Sequence, residues 1–296
     1  MEHLFIFYLS YLSLPFFVFL CYFFRKNYKN LYKKNYKKKI LLILCFLGTI
    51  FFIYARFIER NIIVTQNIKI KTGFFAKVIV IADTHLGVYK DRNFLKKVVN
   101  KINEQKNIDA VLIPGDLVDY PYGDLATLFS PLKNLRAPVY AVLGNHDSEK
   151  SEPFVQKQLQ EALETNGIIF LNNTYSVIPN KNIIILGLGD NFTNQDDVAK
   201  IEEYNTQDNL IVLAHNPDTT LKYKNSIPDI TISGHTHGGQ IRIPFLYKFF
   251  IPCEGNFDQG LYNTLTGKIF VTSGLGEIGL PLRFGIPPAI DILEFY

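Results

Sequence analysis

From about residue 62 to the end of the chain, short runs of apolar and β-branched residues recur, and five of them stop at Asp, Asn or His. The early runs are KVIVIA at 77–82, DAVLIP at 109–114, PVYAVL at 138–143, NIIILGL at 182–188, NLIVLA at 209–214 and DITIS at 229–233. Two more, KIFVT at 267–271 and AIDILEF at 289–295, follow. Several of the early runs are continuously apolar, as strands covered on both faces must be. Between them, the stretches at 92–106 and 154–166 carry helical apolar periodicity. This alternation predicts a layered α/β domain with helices outside a central sheet. With 48% hydrophobic and 20% charged residues, the chain can build a sizeable core, and global disorder is excluded.

The polar residues gather where the runs end. Asp83-Thr84-His85 follows the first, Gly115-Asp116-Leu117-Val118-Asp119 the second and Gly144-Asn145-His146-Asp147 the third. His215 follows the run at 209–214, and Gly234-His235-Thr236-His237-Gly238-Gly239 follows the run at 229–233. Ligands of open α/β sheets bind beyond the carboxyl ends of strands, so these ends should converge on one place. The chain has six His, and five lie at these ends, with only His3 elsewhere. One His after a strand is more often a hydrogen-bonded structural residue than a ligand, but five together reverse that preference. Imidazole with carboxylate and amide oxygen, and no thiolate, is the ligand set of Mn, Fe or Zn. Cys21, Cys45 and Cys253 are too scattered for a disulfide framework or a zinc knuckle.

In this order, DTH, GDLVD, GNHD, His215 and GHTHGGQ make residues 75–296 resemble the calcineurin-like metallophosphoesterases. Within them, GHTHGGQ, SGLGEIGLPLRFG at 273–285 and the terminal PPAI segment resemble the membrane-anchored bacterial branch. Some members of that branch hydrolyse UDP-2,3-diacylglucosamine to lipid X and UMP. The resemblance implies a β-sandwich flanked by helices and a pair of divalent ions, Mn²⁺ first, with Fe²⁺ or Zn²⁺ as alternatives. It assigns Asp83, His85 and His237 to one ion, Asn145, His215 and His235 to the other, and Asp116 as the bridge. Such ions clamp the phosphoryl oxygens and activate water. By the same resemblance His146 faces the phosphate, stabilising the transition state or protonating the leaving oxygen, and Asp119 orients it. The competing reading of Asp119 is a helix N-cap, and Asp147 reads better as a cap than as a site residue. Two positions depart from the family pattern: Ala82 stands where Ser is usual, and Ala289 where Glu is common.

The first sixty residues read differently. Leu4 to Phe24 contains no charged residue, and a second apolar run covers 40–55, reaching 58 if Arg56 snorkels. The segment 25–39 between them carries eight Lys/Arg and no acid. The expectation is a membrane-anchoring hairpin over residues 1–60, with helices at about 4–24 and 40–58, followed by a catalytic domain at 61–296. A cleaved signal peptide fits less well, because Met1-Glu2-His3 offers no basic leader. The positive-inside rule puts the basic loop in the cytoplasm and the domain on the far side of a cell membrane.

Removing the basic loop and Glu2 from the net +4 leaves residues 40–296 at −3, which argues against a nucleic-acid partner. The segment IRIPFLYKFFIP at 241–252 is apolar and aromatic. It reads either as an acyl-chain groove or membrane-facing surface, or as a loop packed on the core. Arg283 reads either as a substrate-phosphate contact or as a structural ion pair. The leading expectation is a phosphoesterase acting on a phosphorylated lipid or nucleotide-sugar lipid, with no nucleic acid and no obligate protein partner. Alternatives are a phosphodiesterase for another cell-envelope phosphoester, and a non-catalytic metal-binding membrane module.

Overall fold

The structure is a computed structural model that describes residues 13–27, 36–148, 153–205, 207–224 and 227–296. The first half of the domain contributes β1 (Val64–Ile70), β2 (Ala76–Val80), β3 (Leu86–Gly87), β4 (Ala110–Pro114), β5 (Val118–Asp119), β6 (Val139–Val142) and β7 (Ile169–Phe170). The second half contributes β8 (Thr174–Val177), β9 (Ile183–Gly187), β10 (Asn209–Leu213), β11 (Ile230–Ser233), β12 (Gly260–Thr264), β13 (Gly267–Val271) and β14 (Ala289–Phe295). These form two six-stranded sheets, ordered β1-β14-β2-β4-β6-β7 and β12-β13-β11-β10-β9-β8, while β3 and β5 pair separately.

Alternating side chains of each strand reach opposite layers. Val78, Val80, Leu112 and Val142 pack against Ile185, Ile211, Leu213 and Ile232 between the sheets. Ile79, Ile81, Val111 and Ile113 face outward into a core shared with the helices at 92–103 and 153–165. The apolar runs therefore do mark strands covered on both faces. The single central sheet is corrected, however, because for β2, β4 and β6 one of the two covers is a second sheet. A continuous apolar run reports that both faces are covered but not by what.

Two N-terminal helices are described, α1 (Ser13–Asn27) and α2 (Tyr36–Ile53), the latter continuing through a π-turn at Tyr54–Ile58 and a 3₁₀ turn at Glu59–Asn61. Residues 1–12 of the expected first span and 28–35 of the basic loop lie outside the described residues. Arg25, Lys26, Lys37 and Lys39, expected in the loop, belong to helices, in keeping with the good helix propensity of Lys and Arg. Among the described residues one helix, Lys39–Asn61, is long and apolar enough to cross a membrane. In the domain follow α3 (Arg92–Asn103), capped by the Asp91 side chain, then α4 (Leu125–Phe129), capped by Asp124, and α5 (Pro153–Thr165).

The end of the long helix is built into the domain. Arg56 is buried rather than snorkelling, as are Glu59 and Arg60. Arg60 donates to both carboxylate oxygens of Glu277 at 3.0 and 3.1 Å. Lys90 Nζ lies 3.3 Å from the same carboxylate and donates to the Arg60 carbonyl at 2.7 Å. Glu59 accepts from the Ile286 N–H at 2.6 Å, and the Phe51 ring packs on Phe284 with centroids 4.2 Å apart.

Candidate metal centre

Register brings the carboxyl ends of the parallel strands to one edge. Val80 stands beside Leu112, Pro114 beside Val142, and Leu213 beside Ile232. The turns that follow are tight. Asp83, His85, Asp116, His235 and His237 all have positive φ, between 42° and 71°. That region is uncommon for residues with a side chain, and such strain concentrates at functional sites. Close approach makes one glycine obligatory: a Cβ on Gly144 would fall on the Asp116 carboxylate and 2.6 Å from its backbone nitrogen.

These turns place ligand-type atoms against one another. Asp116 Oδ1 accepts the backbone N–H of His146 at 2.9 Å, which leaves Oδ2 between two imidazoles. It lies 3.5 Å from His85 Nε2 and 3.3 Å from His215 Nε2. On one side, ligand atoms of Asp83, His85, Asp116 and His237 lie within 4.8 Å of one another, with His85 Nε2 and His237 Nε2 3.1 Å apart. On the other side stand Asp116, His215 and His235, with Asn145 Oδ1 3.1 Å from His215 Nε2.

The polar bookkeeping of this cluster calls for cations. His215 Nδ1 lies 2.8 Å from the Pro114 carbonyl and His235 Nε2 lies 3.1 Å from the Pro252 carbonyl. Each carbonyl takes a ring proton, so in its neutral form each ring turns a lone pair inward. Those inward nitrogens are 3.1 Å apart, beside the Asp116 oxygen. Asp83 Oδ2 is buried with no hydrogen-bond partner. Groups so arranged repel unless a positive charge lies among them.

Burial pushes the His85 imidazole down to about 3 and His235 to about 4, and holds His237 well below its ordinary value, so all three are neutral donors. Burial also opposes charging His215, but Asp116 prevails and raises it to about 10. One proton on His215 cannot serve four imidazoles. The residues present fit divalent metal ions.

The remaining predicted residues fall into place around this cluster. His146 is partly exposed at the mouth, its Nδ1 3.9 Å from Asp119 Oδ1, and its ring edge-on to His85 with centroids 5.1 Å apart. Asp119 lies in β5 and caps no helix. Asp147 is also not a cap. Fully buried, it accepts the N–H groups of Leu117, Val118 and Gly144 at 2.9–3.0 Å and ties the second strand end to the third. The structure resolves Arg283 as internal: it is fully buried and donates to the carbonyls of Ser273, Gly276 and Ile286. Ala289 is buried, its N–H donating to Gly274 O at 3.2 Å.

A cleft of about 1310 Å³ opens over Asp116, Asn145, His146, His235 and His237. Ile243, Leu246, Tyr247 and Phe250 line one wall, so the aromatic segment is exposed and does not pack on the core. Asn191 and Asn194, from one turn, and Leu280, from another loop, join the rim. No motif or periodicity distinguishes them in the sequence.

The calcineurin-like phosphoesterase family model matches residues 76–239. The chain is 33% identical over 254 residues to the metallophosphoesterase YkuE of Bacillus subtilis, covering 81% of this chain and 87% of that protein. It is 36% identical over 228 residues to a metallophosphoesterase of Campylobacter jejuni, spanning 74% of this chain but only 58% of that protein's length. Over 229 residues it is 31% identical to the phosphodiesterase YaeI of Escherichia coli, covering 74% of this chain and 81% of that protein. The buried cluster of carboxylates and neutral imidazoles and these likenesses agree: this chain belongs to the calcineurin-like phosphoesterase family and is a metal-dependent phosphoester hydrolase.

Proposed function

We propose that this chain is a membrane-anchored two-metal phosphoesterase that hydrolyses a phosphodiester or pyrophosphate bond in a lipid-linked substrate such as UDP-2,3-diacylglucosamine. The observation that carries the two-metal reading is Asp116 Oδ2, held between His85 Nε2 and His215 Nε2 at 3.5 and 3.3 Å. Asp83, His85 and His237 would hold one ion, Asn145, His215 and His235 the other, and Asp116 would serve both, with Mn²⁺ first and Fe²⁺ or Zn²⁺ as alternatives. Bound there, the ions supply Lewis-acid polarisation of the phosphoryl oxygens and activation of water near neutral pH.

The chain's own residues do the rest. Asp116 is fixed through its other oxygen by the His146 N–H, so one peptide positions both the bridge and the acid. The partly exposed His146 ring delivers a proton to the leaving oxygen, with Asp119 Oδ1 3.9 Å from its Nδ1 to orient it. The lipid-linked substrate is supported by the apolar cleft wall of Ile243, Leu246, Tyr247 and Phe250 and by the apolar helix Lys39–Asn61.

The test is release of UMP from UDP-2,3-diacylglucosamine by detergent-solubilised full-length protein, with and without Mn²⁺, beside Asp116→Ala. Bis-p-nitrophenyl phosphate serves as the generic substrate. Metal-dependent UMP release lost in the variant supports the whole reading. Cleavage of the generic diester alone discards the lipid A role and keeps the two-metal chemistry. A second reading, a cell-envelope phosphoester outside the cytoplasm, is favoured by the basic segment before the long helix. Alkaline phosphatase fused after Tyr296 and active only outside the cytoplasm would select it.

A further inference from the structure

We propose that residues 243–250 are a membrane-docking loop that seats the mouth of the metal cleft on the bilayer surface, so that phosphoesters enter from the lipid phase. The inference rests on the reading of Lys39–Asn61 as a membrane span. Phe245, Phe249 and Phe250 are 89%, 82% and 79% exposed, with Leu246 half-exposed between them. Single exposed apolar residues are ordinary, but a contiguous aromatic patch marks an interaction surface. Phe245 also has φ of 68°, a conformation unfavourable for a bulky residue, and its ring gains no packing in return. The root of the loop is rigid: Arg242 donates to Asp258 and to Tyr247 Oη, each at 2.8 Å, and to the Gly238 carbonyl at 3.1 Å.

The bilayer is singled out as the occupant by what the loop is attached to. Arg242 N–H donates to the Phe284 carbonyl at 2.8 Å, and Phe284 N–H donates to Gln240 O at 3.0 Å. The ring of that same Phe284 packs on Phe51 of the long helix, with Tyr54 edge-on at 6.3 Å. Four residues of chain reach at most about 14 Å, so Phe245 is held near the helix end. There Tyr54, Phe57 and Ile58 present exposed apolar side chains of their own. The segment 241–252 holds no acid, and Lys248 is the cation beside the exposed rings, a composition suited to phosphate headgroups over acyl chains. Leu246, Tyr247 and Phe250 also line the cleft over the metal ligands, so the patch is continuous with the cleft mouth.

The chain contains no Trp, so a Phe249→Trp variant of the full-length protein carries a unique reporter. It is reconstituted in phosphatidylcholine–phosphatidylglycerol vesicles with and without bromine on the acyl chains. The expected result is blue-shifted emission, most of which is lost in brominated vesicles. A Leu265→Trp control, on the exposed β12–β13 turn at the opposite sheet edge, should keep its emission. Unquenched, water-like emission from the Phe249→Trp variant overturns the proposal, including the case in which a protein partner covers the loop instead. In parallel, Phe245→Ser/Phe249→Ser should raise KM for vesicle-borne UDP-2,3-diacylglucosamine about tenfold or more and leave bis-p-nitrophenyl phosphate hydrolysis unchanged. Quenching without any UMP release would uphold the docking loop and sink the lipid A substrate. UMP release without quenching would do the reverse.

Discussion

Glu277, at the joint below the long helix, and Asp116, at the strand ends, are both carboxylates removed from water, and they are surrounded in opposite ways. Glu277 has each oxygen matched by a donor, two from Arg60 and one from Lys90. Asp116 has one oxygen matched by a backbone N–H, while the other faces His85, held neutral by burial, and His215, the one imidazole of the four that burial does not hold neutral. The joint satisfies itself, whereas the strand ends require an added cation. The two regions meet in space: Gly276, beside Glu277, donates its N–H to the carbonyl of Asp83 at 2.6 Å. A deeply buried charge is thus no sign of a site in itself, and the informative feature is whether the protein supplies its counter-charge.

Substituting the two residues should separate the roles. Asp116→Ala should reduce metal-dependent hydrolysis of bis-p-nitrophenyl phosphate by at least about a thousandfold. In EDTA, the thermal unfolding midpoint of the same variant should fall less than that of Glu277→Gln, because His215 can shed its proton once Asp116 is gone, whereas Arg60 keeps its charge. A marked fall in its midpoint would make Asp116 a structural residue like Glu277. Glu277→Gln should do the converse, lowering stability by about 3–5 kcal/mol in a denaturant titration, since Arg60 and Lys90 keep buried charges without compensation. Its activity per folded, metal-loaded molecule should hold. A folded variant that loses metal instead would show that the joint also positions Asp83.

A third buried carboxyl sharpens the contrast. Asp291 in β14 has neither cation nor metal, its Oδ2 has no partner, and burial pushes it up to about 6 from 3.8. Because the folded value is the higher one, the folded chain binds more protons between these values. The contribution of this carboxyl is whole below pH 3.8 and is lost as the pH rises through 6. Asp291→Asn should match the parent near pH 4 and exceed it at pH 8 by at most about 3 kcal/mol. Equal stability at both pH values would mean that Asp291 has a counter-charge after all. The smallest effect is expected at the cleft mouth. His146→Asn should lower kcat about a hundredfold on substrates with poor leaving groups and less on p-nitrophenyl esters, with bound metal measured in parallel. A uniform loss accompanied by metal release would place His146 with the ligands.

The seven proposed ligands were legible before any fold was known, because each follows an apolar run whose strand character is a local property. The strand runs themselves were equally legible, as was the long apolar helix. The edge strands β1, β8 and β12 were not. Polar exposed residues interrupt the apolar signal in the VTQNIKI of β1, while β8 (TYSV) and β12 (GLYNT) are short and mix Thr, Ser, Gly or Asn among their apolar residues. Asp147 reads as a cap because Asp favours caps in any sequence, and only the meeting of two strand ends shows three N–H groups closing on it.

The amino-acid sequence by itself determined the strands, the chemistry at their ends and the family that shares this order of motifs. All of these follow from the period and composition of short segments. The apolar runs by themselves left open what covers each strand, and the tertiary structure decided which strands make each of the two sheets. It decided that Arg283 turns inward to carbonyls, and that Arg56, Glu59 and Arg60 are buried in the joint. It also left the rings at 245–250 outside, beside the helix. Each of these outcomes depends on which surfaces cover which, and residues far apart in the chain settle that together.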